Sequence, residues 1–181
     1  MLQLEIPQRE LFNEETQEFV NLKATVLTLE HSLVSLSKWE SKWEKPFLSK
    51  EPRTDEETID YIKCMTITQN VDERVYEFMS PDIIDKITKY ISANMTATWF
   101  NDAKDGSSGT HKVITSEIIY YRMIEYNIPF ECQKWHLNRL LTLIRVCNEY
   151  NAGPKKVNMR EEAARRRELN LARKAQYNTK G

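Results

Sequence analysis

Glycine is scarce in this chain, with four residues in 181. Glycine lets a backbone adopt positive φ in tight turns and pass close to a phosphate. Its scarcity argues against a many-stranded sandwich and against a nucleotide-cradling loop. The length suits one domain with an appendage. With 40% hydrophobic and 29% charged residues, a chain of this size can bury a single core without disulfides or metals.

Leu2, Leu4 and Ile6 alternate with polar neighbours, and Val26, Leu27 and Leu29 sit among threonines in TVLTLEH. Both stretches read as strands. The polar Asn13, Glu14, Glu15 and Thr16 between them predict a hairpin or small meander within 1–32. Two strands alone are marginal, so this element is expected to pack on helices.

Ser32 reads as an N-cap. Leu33, Leu36, Trp39 or Glu40, and Trp43 follow about one turn apart, and Pro46 ends that helix. Thr54, Asp55, Glu56 and Glu57 form a capping box opening a helix to about Met65. A short helix is expected over 72–79. Ser80-Pro81-Asp82 starts another, with the stripe Ile83 or Ile84, Ile87 and Ile91. The segment NDAKDGSSGT (101–110) reads as a flexible loop.

A helix resumes near Thr115. Ile118, Ile119, Tyr121, Met123, Ile124 and Tyr126 cover so much of its circumference that it is expected to be central. The next helix is expected over 130–150, with Leu137, Leu140, Leu141, Ile144 and Cys147 as its stripe, backed by Trp135 and Leu143. This pair is the expected heart of the fold. The predicted class is mainly α (α+β): a small N-terminal β element (1–32), a helical body (33–153) and a basic helical C-terminal arm (154–181).

Charge divides the chain at Gly153-Pro154. Residues 154–181 carry nine Lys or Arg against three Glu, leaving 17 basic and 24 acidic residues in 1–153. The arm favours helix by propensity but has no continuous apolar stripe, so it is expected to order on a partner. Lys155, Lys156, Arg160, Arg165, Arg166, Arg167, Arg173, Lys174 and Lys180 are suited to phosphates or to acidic patches on a protein. Without aromatics interleaved for base stacking, a protein partner, or a solubilising extension that touches nothing in particular, is favoured over nucleic acid. An acidic body with a basic arm is also suited to self-association.

No residue set specifies catalysis. The chain has no Gly-rich phosphate loop, HExxH, CxxC or GxSxG, so no enzyme, cofactor or metal is expected. Cys132 and His136 lie four apart on the expected helix, but two ligands do not close a zinc site. The commoner reading is a half-buried histidine beside an apolar face. His31 is expected to cap or flank a turn, and His111 to lie in the loop. Cys64, Cys132 and Cys147 read as buried free thiols in a reducing compartment. The opening MLQLEIPQRE lacks signal-peptide character, and no 18-residue apolar run suggests a membrane span. A cytosolic protein is expected. Trp39 and Trp43, four apart, are candidate anchors for a partner. The competing reading packs them between the first helix and the hairpin, and packing is expected more strongly for Trp99 and Trp135.

Several stretches carry a resemblance: LEHSL (29–33), LSKWESKWEKPFLSK (36–50), MTATWF (95–100), EIIYYRMIEYNIPFECQKWHLNRLLTLIRVCN (117–148) and NTKG (178–181). They resemble the tail assembly chaperones of long-tailed, siphovirus-type bacteriophages, over nearly the whole chain. The resemblance implies a protein of the host bacterial cytoplasm that coats the helical tape-measure protein, keeps it soluble, and leaves as the tail tube protein polymerises. It also implies a short product and a longer frameshifted one. The motifs carry no catalytic logic. On this reading Trp39, Trp43 and the basic arm are expected to border the partner groove. The alternatives are a minor virion or head–tail structural protein, and a nucleic-acid-binding protein using the arm.

Overall fold

The computed structural model describes residues 1–13, 17–100, 113–151 and 159–177. The chain divides into two compact units, Met1–Cys147 and Asn148–Gly181. Helices dominate both, with a small antiparallel β element at the N-terminus, as the sequence predicts.

The first unit opens with β1 (Leu2–Ile6), β2 (Arg9–Asn13), β3 (Glu18–Leu22) and β4 (Thr25–Leu29). These are two ladders of one long hairpin. β1 pairs with β4 and β2 with β3, and the register that sets Leu2 against Leu29 also sets Arg9 against Leu22. The ladder is interrupted at Pro7, which has no N–H to donate. Leu4, Ile6, Leu22, Leu27 and Leu29 are buried, the one-face alternation a half-covered sheet requires. The open edge of β4 is covered by the segment that follows the second helix. Glu30 N donates to Met65 O, Ile67 N to Thr28 O, and Thr28 N to Thr68 Oγ1.

Two capping boxes set the next helices. Ser32 and Ser35 exchange hydrogen bonds at the start of α1 (Leu33–Trp43), and Thr54 and Glu57 do so at α2 (Asp55–Met65). α1 ends on Glu44, whose φ of 52° is left-handed and whose N–H donates to Glu40 O. α3 is a single turn, Arg74–Glu77, shorter than expected. α4 (Pro81–Ser92) begins on its proline and buries Ile83, Ile87 and Tyr90, leaving Ile84 exposed.

α5 (Ser116–Glu125), a 3-10 turn (Phe130–Lys134) and α6 (Leu137–Asn151) follow, and three expectations change here. The helix expected over 130–150 is broken. Trp135 and His136 leave it, His136 bridges Ser32, and Leu137 N donates to His31 O at 2.7 Å. Tertiary hydrogen bonds therefore override local propensity. The heart of the fold is α1, not the α5–α6 pair: Leu33, Leu36 and Trp39 are at most 1% exposed, and α1 packs on α2, α5 and the 3-10 turn. α5 is not central either, since it buries Ser116, Ile119 and Met123 and leaves its opposite side in solvent.

In the second unit α7 (Met159–Tyr177) is a 19-residue helix. Its described side chains are exposed, including Leu169, Leu171 and Tyr177. The expected loop at 101–110, His111 and the Gly153-Pro154 junction lie outside the described residues.

Candidate functional site

The most distinctive surface of the first unit is the outer side of α5. At 100° per residue, Ile118, Tyr121 and Ile124 span an arc opposite Ile119 and Met123. Ile118 is 38% exposed and Tyr121 and Ile124 are each 61% exposed. Val113 and Ile114, just ahead of the helix, are also exposed, as is Phe130, whose ring lies 6.5 Å from that of Tyr120. Contiguous apolar exposure of this kind marks interaction surfaces more often than isolated exposed residues do.

Both ends of α5 are fixed. Thr115 provides no side-chain cap, and a buried carboxylate from another helix takes that role. Glu40 Oε2 accepts from Ser116 N at 2.7 Å, while its Oε1 accepts from Phe47 N at 2.8 Å. One side chain of α1 thereby ties down the turn after its own helix and the first turn of α5, where the N–H groups lack helical acceptors. At the far end Asn127 adopts φ of 51°, and Ile128 N donates to Met123 O at 2.8 Å, burying Ile128. The outer arc is therefore presented on a helix that cannot easily rotate or fray.

Charge flanks the arc at its two ends, where Glu117 and Glu125 project between its apolar residues. Arg122 pairs with Glu125 at 2.7 Å. Hydrogen bonds from its own backbone N–H and from Thr115 hold the Glu117 carboxyl below the usual carboxylate range. A partner helix laid on this face would meet apolar side chains at its centre and charges at its rim, the ordinary anatomy of an interface.

The sequence-predicted residues fall elsewhere. Trp39 is 1% exposed and its Nε1 donates to Glu57 O at 2.9 Å, so it is a core residue and not an exposed anchor. Trp43 is half-buried, stacks on Trp39 with centroids 6.2 Å apart, and donates to Asp60 Oδ2 at 2.9 Å. These hydrogen bonds run from α1 to α2, where packing on the hairpin was expected. Trp99, expected to be packed, is 81% exposed. Trp135 is half-buried, with the Arg139 guanidinium 4.2 Å above its ring. Arg165, Arg166, Arg167, Arg173 and Lys174 are exposed on α7, and Arg160 lies in its first turn. Lys155, Lys156 and Lys180 lie outside the described residues.

Cys132 and His136 do not share a helix face. Cys132 is buried in the 3-10 turn, and His136 Nε2 donates to Tyr90 O at 3.0 Å. His31 flanks the corner between β4 and α1, as expected, but is interior there: it is 2% exposed and hydrogen-bonds Tyr61 Oη. Burial, the neighbouring His136 and Arg53 lower its pKa to about 3, and burial also lowers that of His136. Cys64 and Cys147 are half-buried free thiols. Among the described residues, no three His, Cys, Asp or Glu side chains converge on a metal site, and no helix is long and apolar enough to cross a membrane.

From the sequence, a helix with apolar residues over most of its circumference reads as buried, so the outer face of α5 is not legible there. The signal was present in the excess of apolar residues over what one buried stripe needs. No protein-family model, curated protein or solved structure matches this chain.

Proposed function

We propose that this chain is a bacteriophage tail assembly chaperone that transiently binds the tape-measure protein in the host bacterial cytoplasm and keeps it soluble until the tail tube protein replaces it. The sequence resemblance supplies the identity of the partner. The observation that carries a protein-binding role is the outer face of α5, where Ile118, Tyr121 and Ile124 stand exposed on a helix pinned at both ends. Such a face suits an apolar stripe on a long partner helix, bound by many copies that are each weak enough to be displaced. The exposed cations of α7 support a second, electrostatic contact that speeds encounter. The reading assigns no catalytic step.

The test is co-expression of the full chain with the tape-measure protein of the same phage. The unaltered chain is expected to bring that protein into the soluble fraction and to co-purify with it. Tyr121→Glu/Ile124→Glu is expected to abolish the effect, and Arg165→Glu/Arg166→Glu/Arg167→Glu to weaken it in a salt-dependent way. Insoluble tape-measure protein with every form of the chain overturns the proposal. So does stoichiometric retention of the chain in purified virions, which assigns it to the particle as a structural protein. A DNA or RNA shift lost with the arm substitutions, without tape-measure binding, assigns it to nucleic acid.

A further inference from the structure

The start of α1 and the exit of α2 line an open-sided cavity of about 570 Å³, inside the roughly 300–1,000 Å³ range of ligand sites. Val34, Met65 and Ile67 give it an apolar lining, Cys64 lies in its wall, and Lys38 and Lys134 also line it. Met65 is 1% exposed and Ile67 53%, so a firm floor continues into a solvent-facing lip.

The electrostatics of this cavity run against those of the chain around it. Residues 1–153 carry 24 acidic and 17 basic side chains. Of the lining residues only Glu30 is acidic, and both of its oxygens are engaged: Oε1 accepts from the Tyr90 hydroxyl at 2.6 Å, and Oε2 pairs with the Met1 amine. Lys38 and Lys134 have no carboxylate partner among the described residues. α1 also begins here with no acidic residue in its first turn, so its own side chains do not offset the positive end of the helix dipole.

We infer that this cavity binds an acidic, apolar peptide segment of a partner protein. An apolar side chain of the segment rests on Val34, Met65 and Ile67, and two of its carboxylates meet Lys38 and Lys134. An inorganic anion would leave the apolar lining wet. A neutral apolar ligand would leave both ammonium groups without a counter-charge, and a fatty acid brings one carboxylate to two lysines. No residue of α5 lines the cavity, so the site stands apart from the chaperone reading, and loss of tape-measure binding through Tyr121 leaves it intact.

The probe is a fluorescein-labelled synthetic helix peptide with leucines on one face and glutamates beside them, titrated into the full chain. Saturable binding is expected, weakened about tenfold, or ~1.4 kcal/mol, by Lys38→Glu/Lys134→Glu and by exchanging the peptide's glutamates for glutamines. Both lysines are exposed, and an unchanged circular dichroism spectrum of the double variant confirms its fold. Bound peptide is expected to slow alkylation of Cys64 by N-ethylmaleimide while Cys147 reacts as before, a local readout that a general charge effect would not give. Equal affinity for the glutamine peptide, or no protection of Cys64, overturns the inference. Protection of Cys64 by dodecanoate but not by the peptide overturns it in favour of a fatty-acid site.

Discussion

His31 and His136 meet edge to face in the interior, with ring centroids 5.1 Å apart and planes at 68°. They join the corner between β4 and α1 to the start of α6. His136 Nε2 donates to Tyr90 O, and its Nδ1 is buried with no hydrogen-bond partner. A proton added there would have no acceptor, and a charge on either ring would face the other ring with Arg53 near His31.

This pair is expected to make stability fall in acid. Burial, His136 and Arg53 lower the pKa of His31 from 6.5 to about 3. Above 6.5 the ring is neutral in folded and unfolded chains alike. Between 6.5 and about 3 only the unfolded chain takes up the proton, so stability drops by up to about 1.4 kcal/mol per pH unit. Urea midpoints across this window are expected to fall steeply for the unaltered chain. In His31→Gln the slope is expected to be shallower, from a lower starting stability. An equal slope in both would assign the acid sensitivity to other groups.

Glu40 is expected to be among the costliest single side chains to remove outside the apolar core. Glu40→Ala strips the acceptors from Phe47 N and Ser116 N, two N–H groups of buried residues, and should destabilise by about 2–4 kcal/mol. Glu40→Gln keeps one carbonyl acceptor but turns an NH2 toward the second N–H, so it should fall between. Chemical denaturation measures both. A Glu40→Ala midpoint equal to that of the unaltered chain would remove the clamp from this account.

The tryptophans should separate by burial. Trp39→Ala is expected to cost about 3–5 kcal/mol, and Trp99→Ala to stay within about 0.5 kcal/mol. In a chain where Trp99 is the only tryptophan left as such, emission should be red-shifted and open to acrylamide quenching. Resistance to quenching would mean that Trp99 is covered in solution.

On α5, Tyr121→Ser and Ile124→Ser should each leave stability within about 0.5 kcal/mol while lowering binding of an apolar dye. A large loss of stability would mean that this face is already packed against something in the isolated protein.

What the sequence makes legible is local. The starts of α1, α2 and α4 follow from Ser32, Thr54 and Pro81, because caps act within one turn. β1 and β4 follow from the alternation around Leu4 and Leu27, whereas β2 and β3 lie in the polar stretch between and are not marked by it. The break before α6 could not be read the same way, since it depends on His31 O and Tyr90 O, which sequence spacing does not bring near Leu137 and His136. The exposure of α5 escaped for a related reason. Periodicity says that Ile118, Tyr121 and Ile124 are apolar, but only the placement of α1 decides which side is covered. Glu40 left a faint trace as a charged residue sharing the apolar stripe with Trp39. Its two acceptor roles depend on Phe47 and Ser116 arriving from different directions.

The cover over the edge of β4 has a consequence for synthesis. A chain leaving the ribosome N-terminus first can complete the hairpin once Leu29 emerges, but residues 65–68, which cap its edge, follow later. Throughout that interval β4 offers unpaired backbone groups and the side chains of Leu27 and Leu29, the combination that recruits foreign strands. Nascent chains paused between these points are therefore the ones most exposed to aggregation, and translation speed through α1 and α2 sets how long the hazard lasts.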